Sequence, residues 1–220
     1  MTDAEEPSPT RRRWFRTGRL EAFSDGVFAI AITLIVLDIA VPAGHQDDLL
    51  RAVAHLWPAY LAYVVSFATI GAVWLGHNAV TDYLDHADGT FVRLNLLLLL
   101  FVAFLPFPTR LFADNIGKNA QERVAATIYG STLLLTLSLL WVLWRYAVRE
   151  HLVRPDAADE EIQLLTQRLT PGLGGYLVLI VAGLFVPVIA VAGYLAVALF
   201  YILPVRRPRW ASARLRRRPG

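Results

Sequence analysis

With 56% hydrophobic residues, 18% charged residues and a mean hydropathy of +0.47 over 220 residues, the chain is too apolar for a soluble domain. Its net charge of +3 and pI near 9.4 rest on arginine, which in so apolar a chain marks cytoplasmic loops and tails rather than a nucleic-acid surface. Cysteine is absent, which excludes disulfides, thiol catalysis and cysteine-ligated metals.

Residues 1–18 are polar, proline-containing and then basic, and read as a disordered basic tail. The first apolar run follows, "RLEAFSDGVFAIAITLIVLDI" from Arg19 to Ile39. It exceeds the ~7–15 residues of a signal-peptide core and carries Asp25, so it reads as a retained span over Arg19–Val41. Further spans of the ~20 residues that cross a bilayer fall near Trp57–Val80, Phe91–Phe112 and Val124–Val148. The segment from about Arg149 to Thr170 mixes acids with bases; it could hold a short cytoplasmic helix on the membrane surface, but a solvated connector is the favoured reading. The last apolar block, Leu173 to Leu203, holds 31 residues without a charge. That is long for one span and short for two, and Pro187 and Gly193 offer a turn near its middle.

Charge parity favours two. With six spans and both termini inside, seventeen of the basic residues lie on the cytoplasmic side, against Arg51, Arg110, Lys118 and Arg123 outside. Five spans would export the seven arginines that follow Val205. The fold expected is therefore an all-α membrane protein: a six-helix domain over 19–205, and a basic cytoplasmic tail over 206–220. Arginine so dominates lysine (Lys118 is the only one) that a GC-rich bacterial genome, and hence the inner plasma membrane, is the expected setting.

This topology brings polar residues of three spans to one depth near the cytoplasmic side. Arg19, Ser24 and Asp25 lie at the start of the first span, Trp74, His77 and Asn78 at the end of the second, and Arg93 and Asn95 at the start of the third. Ionisable groups in a span need partners. Asp25 could pair with Arg19 or His77, with Ser24 and Asn95 meeting the remaining donors and acceptors. A helix clamp is favoured over a proton relay, though histidine makes the relay a standing alternative. Further along the first span, Phe23, Ile30, Leu34 and Leu37 share a narrow arc at 100° per residue, flanked by Thr33. Periodicity leaves two uses open for that arc: packing against helices or lipid, or an apolar constriction of a pore.

Arg19 with "FSD" at Phe23–Ser24–Asp25 and the "GVFAIAITLIVLDI" that follows resembles the first helix of the transmembrane protein 175 family, the lysosomal potassium channels and their bacterial homologues. Trp74 and His77 match the family's W-x-x-H in its second helix, and Asn95 with Pro106 suits its third. The single FSD copy is similar to bacterial members with one six-helix unit per chain. The resemblance implies a passive potassium-permeable cation channel of modest selectivity, with no cofactor and K+ as the permeant ion. It implies a homotetramer in the lipid bilayer whose first helices line one central pore. Ile30 would be the narrowest ring, Leu34 and Leu37 further apolar rings, and Thr33 a pore-facing hydroxyl layer. Arg19, Phe23, Ser24, Asp25, Trp74, His77 and Asn95 would knit the helices together.

Other readings are weaker. The nearest match to a carbonyl-lined filter loop, "GLGGYL" at Gly172–Leu177, lacks the TVGYG pattern and reads as close helix packing. An enzyme would need a nucleophile beside Asp25 and His77, and neither HExxH nor GxSxG is present. A proton-conducting or proton-coupled transporter using Asp25 and His77, or a non-conducting scaffold, remains as an alternative to the channel.

Overall fold

The computed structural model describes residues 15–40, 49–118 and 120–203. The tail over 206–220 and most of the one over 1–18 lie outside the described residues. Helix α1 (Thr17–Leu34) continues as a 3₁₀ turn, Ile35–Asp38, followed by a short α2 (Leu49–His55). Then come α3 (Trp57–Asp82), α4 (Gly89–Phe104), α5 (Pro106–Ala113), α6 (Ala120–Arg149), α7 (Asp159–Gly183) and α8 (Pro187–Ile202). Among the described residues, five segments are long and apolar enough to cross a membrane: Thr17–Asp38, Trp57–Asp82, Gly89–Ala113, Ala120–Arg149 and Asp159–Gly183. Helix α8 is apolar but has 16 residues, or about 24 Å at 1.5 Å per residue, less than the hydrocarbon thickness.

The starts of these helices follow from local chemistry. Pro58 and Pro187 sit in the first turns of α3 and α8, where a missing N–H costs nothing. Asp88 caps α4 by accepting from the Phe91 N–H at 2.8 Å, and its other oxygen accepts from the Tyr146 hydroxyl at 2.7 Å. Pro106 interrupts the third span: α4 ends at Phe104 and α5 begins at the proline itself. Phe15 pairs with Ala87 through two backbone hydrogen bonds, so the expected tail is already anchored four residues before Arg19.

The segment expected as a connector is corrected by the structure. Asp159–Thr170 is the first half of α7. Three acids in its first turn, Asp159, Glu160 and Glu161, complement the helix dipole, and Leu165 and Leu169 bury against the bundle. Trp144 and Trp141 of α6 donate to Thr166 and Thr170 at 2.8 and 3.2 Å, fixing the two helices side by side. The turn in the last apolar block falls at 184–186, just before Pro187. Gly193, the other residue expected to turn, lies inside α8, where its missing side chain admits Leu179.

Inside the bundle, α3, α5 and α6 share a hydroxyl cluster that hydropathy does not reveal. The Tyr129 hydroxyl lies 3.0 Å from Ser66 and 3.1 Å from Thr69, and Ser66 lies 2.8 Å from Thr109. Beside it the Tyr194 ring of α8 passes over Gly130, where a Cβ would strike the phenol. The Tyr194 hydroxyl is buried and has no hydrogen-bond partner among the described residues. Tyr194→Phe is accordingly expected to stabilise the protein in detergent by up to about 1 kcal/mol, read as a raised unfolding midpoint, since it removes a buried polar group and no bond. A loss of more than that amount would mean the hydroxyl is satisfied.

Candidate pore helix and the polar network behind it

Helix α1 has two distinct faces. Leu20, Ser24, Phe28, Ala31 and Ile35 are buried, at the three- and four-residue spacing of one helix stripe, against α3 and α4. On the other side Phe23, Ile30, Leu34 and Leu37 are exposed at 55, 60, 43 and 70%. The arc read from periodicity is thus a surface of the folded chain, not its core. Ala22, Gly26, Ala29 and Thr33 form a stripe of small residues beside it, pointing directly away from the buried one. The Thr33 hydroxyl gives its proton back to the carbonyls of Ala29 and Ile30, at 2.9 and 3.0 Å, so its lone pairs remain for an outside partner.

Behind this helix a directional hydrogen-bond chain joins three elements. His77 Nε2 donates to Asn95 Oδ1 at 2.8 Å, Asn95 Nδ2 donates to Ser24 Oγ at 3.0 Å, and Ser24 Oγ donates to the Leu20 carbonyl at 2.8 Å. Because Asn95 presents its oxygen, the imidazole must carry its proton on Nε2. All three side chains are buried, and the His77 ring tilts against Phe28 at 5.4 Å between centroids. His77 Nδ1 is buried without a hydrogen-bond partner among the described residues.

Asp25 is not in that chain. Its Oδ1 accepts from the Trp74 indole N–H at 2.9 Å, in an exposed position at the edge of the α1–α3 contact. The pairings Asp25–Arg19 and Asp25–His77 are therefore both replaced, the first by an indole and the second by an amide. Arg19 and Arg93 are exposed, and neither meets a carboxylate within 4.0 Å among the described residues. Of the residues brought together in sequence, Ser24, His77 and Asn95 form one unit and Asp25 and Trp74 a second, while Phe23 faces outward.

At the far end of α1, Asp38 lies 3.7 Å from Arg110 of α5, which also reaches Asp114 at 3.7 Å. This contact ties the 3₁₀ end of the first span to the third, and nothing in the sequence pattern signals it.

The helices that carry this network are also those that other proteins share. Residues 19–106 match the family model described as the endosomal/lysosomal potassium channel TMEM175. A potassium channel of Chamaesiphon minutus is 40% identical over 182 residues, 81% of this chain and 86% of its own. The chain belongs to the TMEM175 family. Another relative, a potassium channel of Streptomyces collinus, is 40% identical over 73% of this chain and 79% of its own. The crystal structure of a Chamaesiphon minutus homologue of the lysosomal potassium-selective channel TMEM175 superposes with a TM-score of 0.76. It is 36% identical and covers 84% of this chain and 96% of that one. Vertebrate relatives match a shorter stretch: the endosomal/lysosomal proton channel TMEM175 of Gallus gallus is 34% identical over 59% of this chain, which spans 28% of its length. The family is one of ion channels, and the five residues of the two polar units together with Phe23 fall within the matched segment.

Proposed function

We propose that this chain is a subunit of a passive potassium-permeable channel in the bacterial inner membrane. The observation that carries this reading is identity of 40% to proteins named potassium channels over most of both chains. One α1 helix cannot enclose a path, so a closed ring of subunits is required, and four is the number proposed. The exposed face of α1 suits that ring. Its small residues Ala22, Gly26 and Ala29 permit close helix approach, and the neighbouring arc of Ile30, Leu34 and Leu37, flanked by Thr33, then faces the axis.

In this arrangement Ile30 forms the narrowest ring and excludes water by being apolar, which is how such constrictions gate. Thr33, one turn outward, offers hydroxyl lone pairs to a partly dehydrated cation. Six spans, with α8 as a short last span and both termini inside, complete the proposed topology. The test is potassium flux into liposomes holding the purified protein, with sodium and protons run in parallel. Potassium flux well above that of empty liposomes supports the reading, and flux equal to empty liposomes contradicts it.

Proton permeation is the second reading, favoured by His77 Nδ1, an acceptor left open in a buried hydrogen-bond chain. A proton current that persists without potassium and disappears in His77→Gln would select it.

Asp38 lies at the outward end of the proposed pore, held against Arg110. Arg110→Gln is expected to raise potassium conductance about twofold at 0.01–0.1 M salt and to leave it unchanged at 1 M. A carboxylate released from its cation concentrates cations at the mouth, and salt screens that field. An increase that survives at 1 M salt would point to altered pore geometry instead.

A further inference from the structure

At the end of the bundle opposite Arg110, a groove of about 200 Å³ opens between α3, α7 and α8. Its walls are apolar, with Ala72, Leu75 and Ala79 of α3 on one side and Leu165 and Leu169 of α7 on another. Arg168 and Tyr201 stand at its rim and hold one another. Arg168 Nη2 donates to the Tyr201 carbonyl at 2.9 Å, and the Tyr201 hydroxyl donates to the Arg168 carbonyl at 3.0 Å. Two features of the chain make room for this exchange. Pro171 cannot donate within α7, which loosens the helix at that turn, and Gly172 leaves the space that the Tyr201 ring fills.

The exchange uses one of the five N–H donors of Arg168, whose side chain is exposed. No carboxylate lies within 4.0 Å of it among the described residues. A fixed guanidinium fork is thus aimed at the mouth of an apolar groove. The level is that of a membrane interface. Arg168 is five residues before the charge-free block, the Trp141 indole bonds Thr170 two residues on, and Arg145 lies over that indole at 5.6 Å. Immediately after Leu203 the sequence carries seven arginines within 206–220. A basic cluster next to a span is attracted to anionic lipid.

We propose that this groove binds one anionic phospholipid, its phosphate on Arg168 and part of an acyl chain along Ala72, Leu75 and Ala79. Phosphate matches the planar fork of arginine in two parallel hydrogen bonds, and the apolar walls take the chain that a soluble anion lacks. The site rests on the proposed cytoplasmic placement of the start of α7, where the negative surface potential lies. It does not depend on conduction.

The test follows thermal unfolding of the purified full-length chain in uncharged detergent, without any flux measurement, so that its failure leaves the channel reading standing. Dioleoyl-phosphatidylglycerol is expected to raise the midpoint saturably, whereas dioleoyl-phosphatidylcholine and glycerol phosphate do not. Arg168→Gln should weaken the apparent affinity for phosphatidylglycerol about fivefold, the effect of one basic residue at an anionic surface. Ala72→Phe, which fills the groove and keeps the charge, should weaken it as well. Replacing the seven tail arginines by glutamine should leave the Arg168 dependence in place. An equal response to phosphatidylcholine or glycerol phosphate, wild-type affinity in either variant, or loss of the Arg168 dependence in the tail variant overturns the proposal.

Discussion

Replacing Ile30 by alanine is expected to raise potassium flux through liposomes about tenfold, with the oligomer unchanged. The side chain is 60% exposed on the subunit, so truncating it leaves no cavity in the fold and little effect on stability. In a proposed four-fold ring the same change widens the narrowest point at four positions at once. An apolar constriction resists ions because water cannot fill it, and a fall of about 1.4 kcal/mol in that barrier is enough for tenfold. Ile30→Asn should act in the same direction more strongly, since it adds a group that water can bond. Leu34→Ala and Leu37→Ala, farther along the same arc, should each have a smaller effect. Unchanged flux in both Ile30 variants would remove Ile30 as the constriction and return the arc to lipid or helix packing.

The second large effect concerns stability. Asn95→Ala is expected to cost about 2 kcal/mol and to lower the thermal midpoint of the purified protein. The amide serves two buried partners, so its loss strands His77 Nε2 and removes the donor to Ser24. Each stranded buried group costs about 1–3 kcal/mol in water-soluble proteins, while interhelical bonds measured in membranes average only about 0.6. The upper part of that span applies because Ser24 and Asn95 are wholly buried and the imidazole already has one nitrogen without a partner. Trp74→Phe removes a bond of similar length to Asp25 but in an exposed place, and should cost no more than about 0.5 kcal/mol. If Trp74→Phe proves the more damaging of the two, the clamp lies at Asp25 and not at Asn95.

These two sets of residues were legible to different degrees, for identifiable reasons. Hydropathy located the spans because a bilayer demands about 20 apolar residues whatever they pack against. It also gathered Ser24, Asp25, Trp74, His77 and Asn95 at one depth, since depth is counted along the chain. Which of them meet was not legible. Ser24 and Asp25 are adjacent and so stand 100° apart on α1: one falls in the buried stripe facing Asn95, the other at the edge where Trp74 passes. A count along the chain cannot see that rotation.

The start of α7 was missed for a related reason. Asp159, Glu160 and Glu161 look like a solvated connector when weighed by charge, but at a helix start they are stabilising, and two tryptophans of α6 hold the segment down. The hydroxyl cluster was invisible because Ser66 and Thr69 of α3 meet Thr109 and Tyr129 from helices tens of residues away, each unremarkable in its own span.

By itself, then, the sequence determined that the protein lives in a membrane, where its first four spans lie, and through Arg19, FSD and W-x-x-H which family it resembles. Those properties depend on composition and on spacing along one helix, which are local. Tertiary structure alone decided that Asp25 meets an indole, that His77 meets an amide, and that Arg168 and Tyr201 close on each other at a groove. Such pairings depend on the rotation and close approach of helices distant in sequence, and those are set by how every buried side chain packs together.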